Sequence, residues 1–228
     1  MAVVLYDLVG KGDRRFSPHC WRTRMALAHK GLDCEARATR FTEIAAIGGG
    51  CKTVPAIQDG ERLVVDSWEI ARYLEAAYPD RPSLFGGPGG EALTRFVQSW
   101  TAAVLHAGLI QLIILDIWQH LTPQDRDYFR VSREKRFGRT LEEVQAGREA
   151  RVEDFRQSLH PLRMSLRDAP FLGGEGPLYA DYLVFGAFQW ARAISPFRVL
   201  ADDDPIQAWL GRCLDLHDGL GRTAPGYD

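Results

Sequence analysis

Phe16-Ser17-Pro18-His19-Cys20-Trp21-Arg22-Thr23 is the stretch on which the fold turns. A hydroxyl residue followed by proline marks a helix start. The serine caps free N–H groups, and proline, which has no N–H to leave unpaired, fits the first turn. Trp21, Met25, Ala28 and Leu32 then recur at helical spacing, and Gly31 supplies a stop. Upstream, Val3 to Val9 reads as a short buried strand that runs into the loop Gly10-Lys11-Gly12-Asp13. Downstream, Cys34 to Phe41 alternates small or apolar residues with charges, which suits a second strand. Thr53 to Ile57 and Leu63 to Val65 flank Asp59-Gly60 and read as a hairpin. Asp66-Ser67 opens a helix with Ile70, Ala71, Leu74, Ala77 and Tyr78 on its apolar face; Asp66 as N-cap and Glu69 three positions on form a capping-box pattern.

Beyond this β-α-β, β-β-α order the chain changes character. Residues Pro79 to Gly90 are rich in proline and glycine and read as a linker. No strand pattern follows. Glu91 to Leu121 reads as one long helix, ended by Thr122-Pro123. From Gln124 to Arg163 there are 10 basic and 8 acidic residues, a mixture that usually means solvated helices and not a binding patch. Asp181 to Ala193 is apolar nearly all round, the mark of a buried central helix, and Ile206 to Leu216 is a last amphipathic one. The expected architecture is α/β followed by all-α, divided as 1–80, a linker at 81–90, and 91–228.

With 228 residues, 46% of them hydrophobic, the chain is long enough for one large or two small cores. Its 28 basic and 30 acidic residues leave a net charge of −2, which argues against nucleic acid as a partner. The N-terminal run lacks a basic region and is interrupted by Asp7, and the stretch Leu109 to Trp118 is too short to span a bilayer. A cytoplasmic protein with no membrane partner is expected. Cysteines at 20, 34, 51 and 213 form no Cys-x-x-Cys pair, so four reduced thiols and no metal are expected.

Three pieces together carry a family resemblance: Phe16-Ser17-Pro18-His19-Cys20 at the first helix, Lys52-Thr53-Val54-Pro55 before the third strand, and Asp66-Ser67 before the next helix. In this order the chain resembles, over its whole length, the glutathione transferase superfamily. Cys20-Trp21-Arg22-Thr23, Ala26 to Leu32, Tyr128-Phe129-Arg130, Ser132 to Gly138 and Ala180 to Trp190 are similar to the β-etherase-like transferases of bacteria and fungi. The resemblance implies a thioredoxin-like N-terminal domain, with a mixed four-stranded sheet and helices, followed by an all-helical domain that forms the acceptor pocket. It also implies glutathione as co-substrate, a small apolar or aromatic electrophile, a detoxification role and a homodimer pairing surfaces near Arg72, Tyr73 and Glu75 with others near Arg95, Phe96 and Trp100.

Residue roles follow from the same resemblance. Ser17 stabilises the glutathione thiolate, although on capping preference alone it is simply an N-cap. A free thiol titrates near pH ~8.5, and lowering that by about 2 units takes roughly 2.7 kcal/mol of preferential thiolate stabilisation. Lys52, Thr53, Val54, Asp66 and Ser67 bind the rest of the tripeptide, with Lys52 on the glycyl carboxylate, Val54 on the cysteinyl unit through its backbone, and Ser67 with the helix start on the γ-glutamyl carboxylate. Pro55, as a cis proline, and Asp181 are structural. The family usually has Ser, Thr or Asn where Leu178 stands, so Asp181 is expected to carry more of the capping there. Of Trp100, His106, Trp118, Tyr128, Phe129, Trp190 and Phe197, at most two or three belong in the pocket; His106, Tyr128 and Trp190 are the candidates. Two rival functions stand beside transfer, including aryl ether cleavage: a ligandin-like carrier of aromatic ligands, and a thiol reductase using Cys20. A buried, structural Cys20 is expected, and a His19 that lies at the surface or behind the reacting groups and does not act as a base.

Overall fold

The computed structural model describes residues 2–227. Strands β1 (Val3–Leu8) and β2 (Cys34–Thr39) pair in parallel around α1 (Pro18–His29), with Val3 opposite Cys34 and Leu8 opposite Thr39. β3 (Ala56–Asp59) runs antiparallel to β1 and to β4 (Arg62–Val65), so the mixed sheet has the order β2-β1-β3-β4. Its hairpin turns at Gly60, whose φ of +56° is the left-handed conformation that glycine adopts without strain. The second strand ends earlier than its alternation suggests. Phe41 instead starts a 3₁₀ segment, Phe41–Gly49. Its first N–H groups are claimed by the helical domain: the Asp125 carboxylate accepts from Phe41 N at 3.3 Å, Thr42 N at 3.0 Å and Thr42 Oγ1 at 3.0 Å.

α2 (Ser67–Ala77) is capped as expected on one side only. Asp66 Oδ1 accepts from Trp68 N at 2.8 Å and Glu69 N at 3.3 Å. The reciprocal half of the capping box is absent, because Asp66 N donates to Pro55 O at 3.2 Å and Glu69 turns outward to Arg72. The Pro/Gly-rich segment that follows is packed, not loose. Leu84 and Phe85 are buried, Leu84 N donates to Glu75, and Lys30 Nζ lies 2.7 Å from the same carboxylate.

In the helical domain α3 (Pro88–Trp100) passes through a π-helical turn, Thr101–His106, into α4 (Ala107–His120). The joined run of 33 residues is, by length and composition, long and apolar enough to cross a membrane, which the stretch Leu109–Trp118 alone is not. Here its inner face is core: Leu105, Leu109, Leu112, Ile113, Ile114 and Ile117 are buried. The charged stretch holds α5 (Pro123–Phe137), α6 (Leu141–Gln145), α7 (Arg148–Ser158) and α8 (His160–Ser165). Every residue of α9 (Tyr179–Ile194) except Arg192 is buried, and α10 (Ile206–Gly219) closes the bundle.

One feature of α9 joins the domains and a second caps the helix. At Gly186 an added Cβ would lie 2.4 Å from the Pro18 carbonyl oxygen, so this helix meets α1 backbone to backbone. At its N-terminus Leu178 offers no side-chain cap. Asp181, fully buried, takes over: Oδ1 accepts from Leu172 N at 2.7 Å and Trp209 Nε1 at 2.9 Å, and Oδ2 from Gly173 N at 2.9 Å and Leu178 N at 3.0 Å.

Candidate active site

Ser17 sits at the N-cap of α1, 5% exposed, and its Oγ accepts from Cys20 N at 3.2 Å. A hydroxyl has one proton and two lone pairs. Capping takes a lone pair and leaves the O–H free to donate, so capping and thiolate binding are compatible roles for one oxygen. Pro18 brings no N–H and Cys20 N–H is taken by Ser17, which leaves the His19 N–H as a first-turn donor without an intrahelical acceptor. The partial positive charge of the helix start lies on the same side.

Ser17 opens onto a cavity of about 680 Å³ between the two domains. Lys52, Thr53 and Val54 line it from the thioredoxin-like side, and His106, Tyr128 and Trp190 from the helical side. Phe129 lines it too, so four of the seven aromatic or titratable candidates face this space, one more than expected. The other three do not: Phe197 lines a second cavity beside α10, Trp118 lies between the guanidiniums of Arg126 and Arg130, and Trp100 packs against the core. The Val54–Pro55 bond is cis. Asp66 and Ser67 stand apart from the cavity lining, at the start of α2, where Ser67 is buried and its carbonyl accepts from Tyr179 Oη at 2.6 Å.

The cavity floor is polar but uncharged at its histidines. The His19 ring, open to the cavity, meets the His106 ring edge to face at 5.2 Å, and His106 meets Trp190 at 5.9 Å. Burial, then the Arg22 guanidinium, pushes His106 down to about 3. His19 is exposed on the cavity wall, and desolvation by the surrounding protein, with Arg22 and His106, shifts it below the usual histidine range too. Arg22 is 2% exposed, with Nη2 3.5 Å from His106 Nε2 and Nε without a hydrogen-bond partner. Burial lowers its pKa, partly offset by Tyr179 and Asp66. Nothing in the sequence marks Arg22 as buried or Thr101–His106 as the wide turn that carries His106 and Ala102 to the cavity. Such turns recur at functional sites.

Cys20 is fully buried behind Ser17. Burial, reinforced by the Asp7 carboxylate, pushes its thiol far up. Among the described residues no group of three or more His, Cys, Asp or Glu side chains could hold a metal ion.

A thioredoxin-like domain joined to a helical bundle, with a serine-capped helix start on their shared cavity, defines a two-domain class of protein, and comparison with known proteins narrows it. Residues 13–82 match the glutathione S-transferase N-terminal domain, and residues 92–216 match its C-terminal domain. The chain belongs to the glutathione S-transferase family. A glutathione S-transferase-like protein of Aspergillus flavus is 26% identical over 209 residues, covering 78% of this chain and 75% of that one. A glutathione transferase of Phanerochaete chrysosporium superposes with a TM-score of 0.78 at 26% identity, over 96% of this chain and 92% of its own. A glutathione S-transferase of Ceriporiopsis subvermispora, solved in complex with glutathione, shares the fold with a TM-score of 0.84 at 24% identity, over 99% of both chains.

Proposed function

We propose that this protein is a cytoplasmic, homodimeric glutathione transferase of the β-etherase-like kind, acting in detoxification on small aromatic electrophiles. Residues 1–80 hold glutathione, and 91–228 enclose the acceptor. The observation that carries this reading is the Ser17 hydroxyl, held at the helix start by the Cys20 N–H, on the wall of an aromatic cavity shared by both domains. The Ser17 O–H and the helix start stabilise the glutathione thiolate. Lys52 takes the glycyl carboxylate, Thr53 and Val54 the cysteinyl unit, and Asp66 and Ser67, with the α2 N-terminus, the γ-glutamyl end. The thiolate attacks an electrophilic carbon. A C–S bond forms as the bond to the leaving group breaks, and in an aryl ether the C–O pair departs as a phenolate. His106, Tyr128 and Trp190 shape the acceptor pocket. The exposed Leu93 and Phe96, at 72% and 73%, offer α3 as a dimer face, whereas Glu75 is engaged within the chain by Lys30 and Leu84.

The test is Ser17→Ala with glutathione and a panel of aryl ethers, halides and disulfides. Turnover falls by about 10–1000-fold, the scale of one lost, well-placed donor. Glutathione affinity falls much less, since the remaining contacts lie elsewhere. Wild-type turnover in this variant, with the bound thiol's pKa unmoved, overturns the role of Ser17. Tight aromatic binding with no turnover in the wild type makes the protein a carrier instead.

A further inference from the structure

By composition the stretch from Gln124 to Arg163 reads as solvated surface, and part of it is. Arg130 meets Glu134 and Glu142, each at 2.8 Å. The neighbouring strip of α5 behaves differently. Phe129, Arg133 and Phe137 recur four residues apart, share one side of the helix and line the cavity, together with Arg136. The Arg133 guanidinium lies over the rings of Phe129, at 4.8 Å, and Phe41, at 5.7 Å. Its one hydrogen bond runs from Nη1 to Ser132 Oγ at 3.0 Å. Among the described residues neither Arg133 nor Arg136 forms an ion pair.

No aspartate or glutamate lines this cavity among the described residues, while Lys52, Arg133 and Arg136 do. Asp125, at the start of α5, faces the Phe41 and Thr42 N–H groups instead. His19 and His106 are held neutral. The cavity is therefore cationic and aromatic, with nothing of its own to balance the charge. Burial holds the Arg133 pKa below its ordinary value, and although Tyr128 opposes this, the neighbouring Arg136 cation adds to it. An incoming anion would relieve both costs. A planar fork of donors over an aromatic wall is suited to a planar carboxylate.

We propose that the preferred acceptor is itself an anion, an aromatic electrophile bearing a carboxylate that Arg133 and Arg136 bind. The inference rests on the reading above in one respect: with Lys52 and the α2 start assigned to the carboxylates of glutathione, the two arginines are left for the second substrate.

The experiment pairs 4-chloro-3,5-dinitrobenzoate with its neutral isostere 4-chloro-3,5-dinitrobenzamide. In each, the glutathione sulfur displaces chloride. Each kcat/KM is divided by the uncatalysed rate constant of the same compound, and the readout is the benzoate-to-benzamide ratio within one protein, so a general loss of activity cancels. The wild-type ratio exceeds about tenfold, the scale of one charge-assisted hydrogen bond. It collapses toward one in Arg133→Gln, drops in Arg136→Gln and is kept only in part in Arg133→Lys, which retains the charge but loses the planar fork. A wild-type ratio of one or below overturns the proposal. So does a rise in the glutathione KM of Arg133→Gln with the ratio unmoved, which would place glutathione on the arginine. If neither compound is turned over, the transferase reading fails, but calorimetric titration of both in the presence of S-methylglutathione still tests the anion site. Tighter benzoate binding, lost in Arg133→Gln, upholds it, and equal or absent binding sinks it.

Discussion

Replacing Asp181 with asparagine changes one oxygen to an NH₂ group in a site built from donors alone. Oδ1 receives Leu172 N and Trp209 Nε1, and Oδ2 receives Gly173 N and Leu178 N. Whichever way the amide is turned, its nitrogen faces two N–H groups and its oxygen keeps the other two. Two hydrogen bonds to a charged acceptor are lost, at about 1.5–3 kcal/mol each. The displaced N–H groups are buried and find no water, so the expected destabilisation is about 3–6 kcal/mol. That is a large share of a typical domain stability of about 5–15 kcal/mol. Trp209→Phe removes a single donor and leaves the carboxylate three, so it costs roughly half as much. Urea unfolding followed by tryptophan fluorescence and by far-ultraviolet circular dichroism gives both numbers. An Asp181→Asn protein within about 1 kcal/mol of wild type would refute this account of how α9 is capped.

Cys20→Ser keeps glutathione transfer in steady-state assays, because the thiol is packed behind Ser17; loss of all activity, with a mixed disulfide trapped at Cys20 in the wild type, would move the protein to the reductase class. Gly186→Ala gains up to about 1 kcal/mol of helix propensity. It meets the Pro18 carbonyl at 2.4 Å, which no rotamer change relieves, so the urea midpoint falls; an unchanged midpoint would show that α1 and α9 do not touch as described. His106, held near 3, stays neutral in the folded chain where the unfolded chain takes up a proton below about pH 6.5. Stability therefore falls as pH drops from 6.5 toward 3, by about 1–2 kcal/mol at pH 5, and His106→Leu has a shallower dependence; equal slopes for the two proteins would contradict this. Light scattering on the 25.6 kDa chain at micromolar concentration gives a dimer mass, and a monomeric mass there overturns the dimer while leaving the Ser17 site in one chain.

Much of the N-terminal domain was legible because its signals are local. A Ser-Pro pair marks a helix start wherever it occurs, and an Asp-Gly pair marks a hairpin. What stayed hidden depends on partners far away in the chain. Glu69 has the right spacing to close a capping box, yet Pro55 O reaches the Asp66 N–H first. Leu84 and Phe85 sit in a sequence that reads as linker, and only the surfaces of α2 and α9 bury them. The mixed charge of α5 averages over its circumference, so counting could not reveal that Arg130 pairs with Glu134 and Glu142 while Arg133 and Arg136 line the cavity without an ion pair among the described residues. At Ser17, capping and the proposed thiolate contact compete as explanations in the sequence, but the two would use different parts of one hydroxyl.

The π-helical turn at Thr101–His106 has a consequence for how this chain can tolerate change. One residue more or less in a helix rotates everything after it by ~100°. The extra residue accommodated in this wide turn sets the phase between α3, which shows Leu93 and Phe96 to the outside, and α4, which turns Ile113 and Ile117 inward. Substitution at the exposed Ala103 leaves that phase alone. Deleting Ala103 would restore regular helix, swing His106 off the cavity floor and point the α4 core stripe elsewhere. At Ala103, length and not residue identity is what this segment has to preserve.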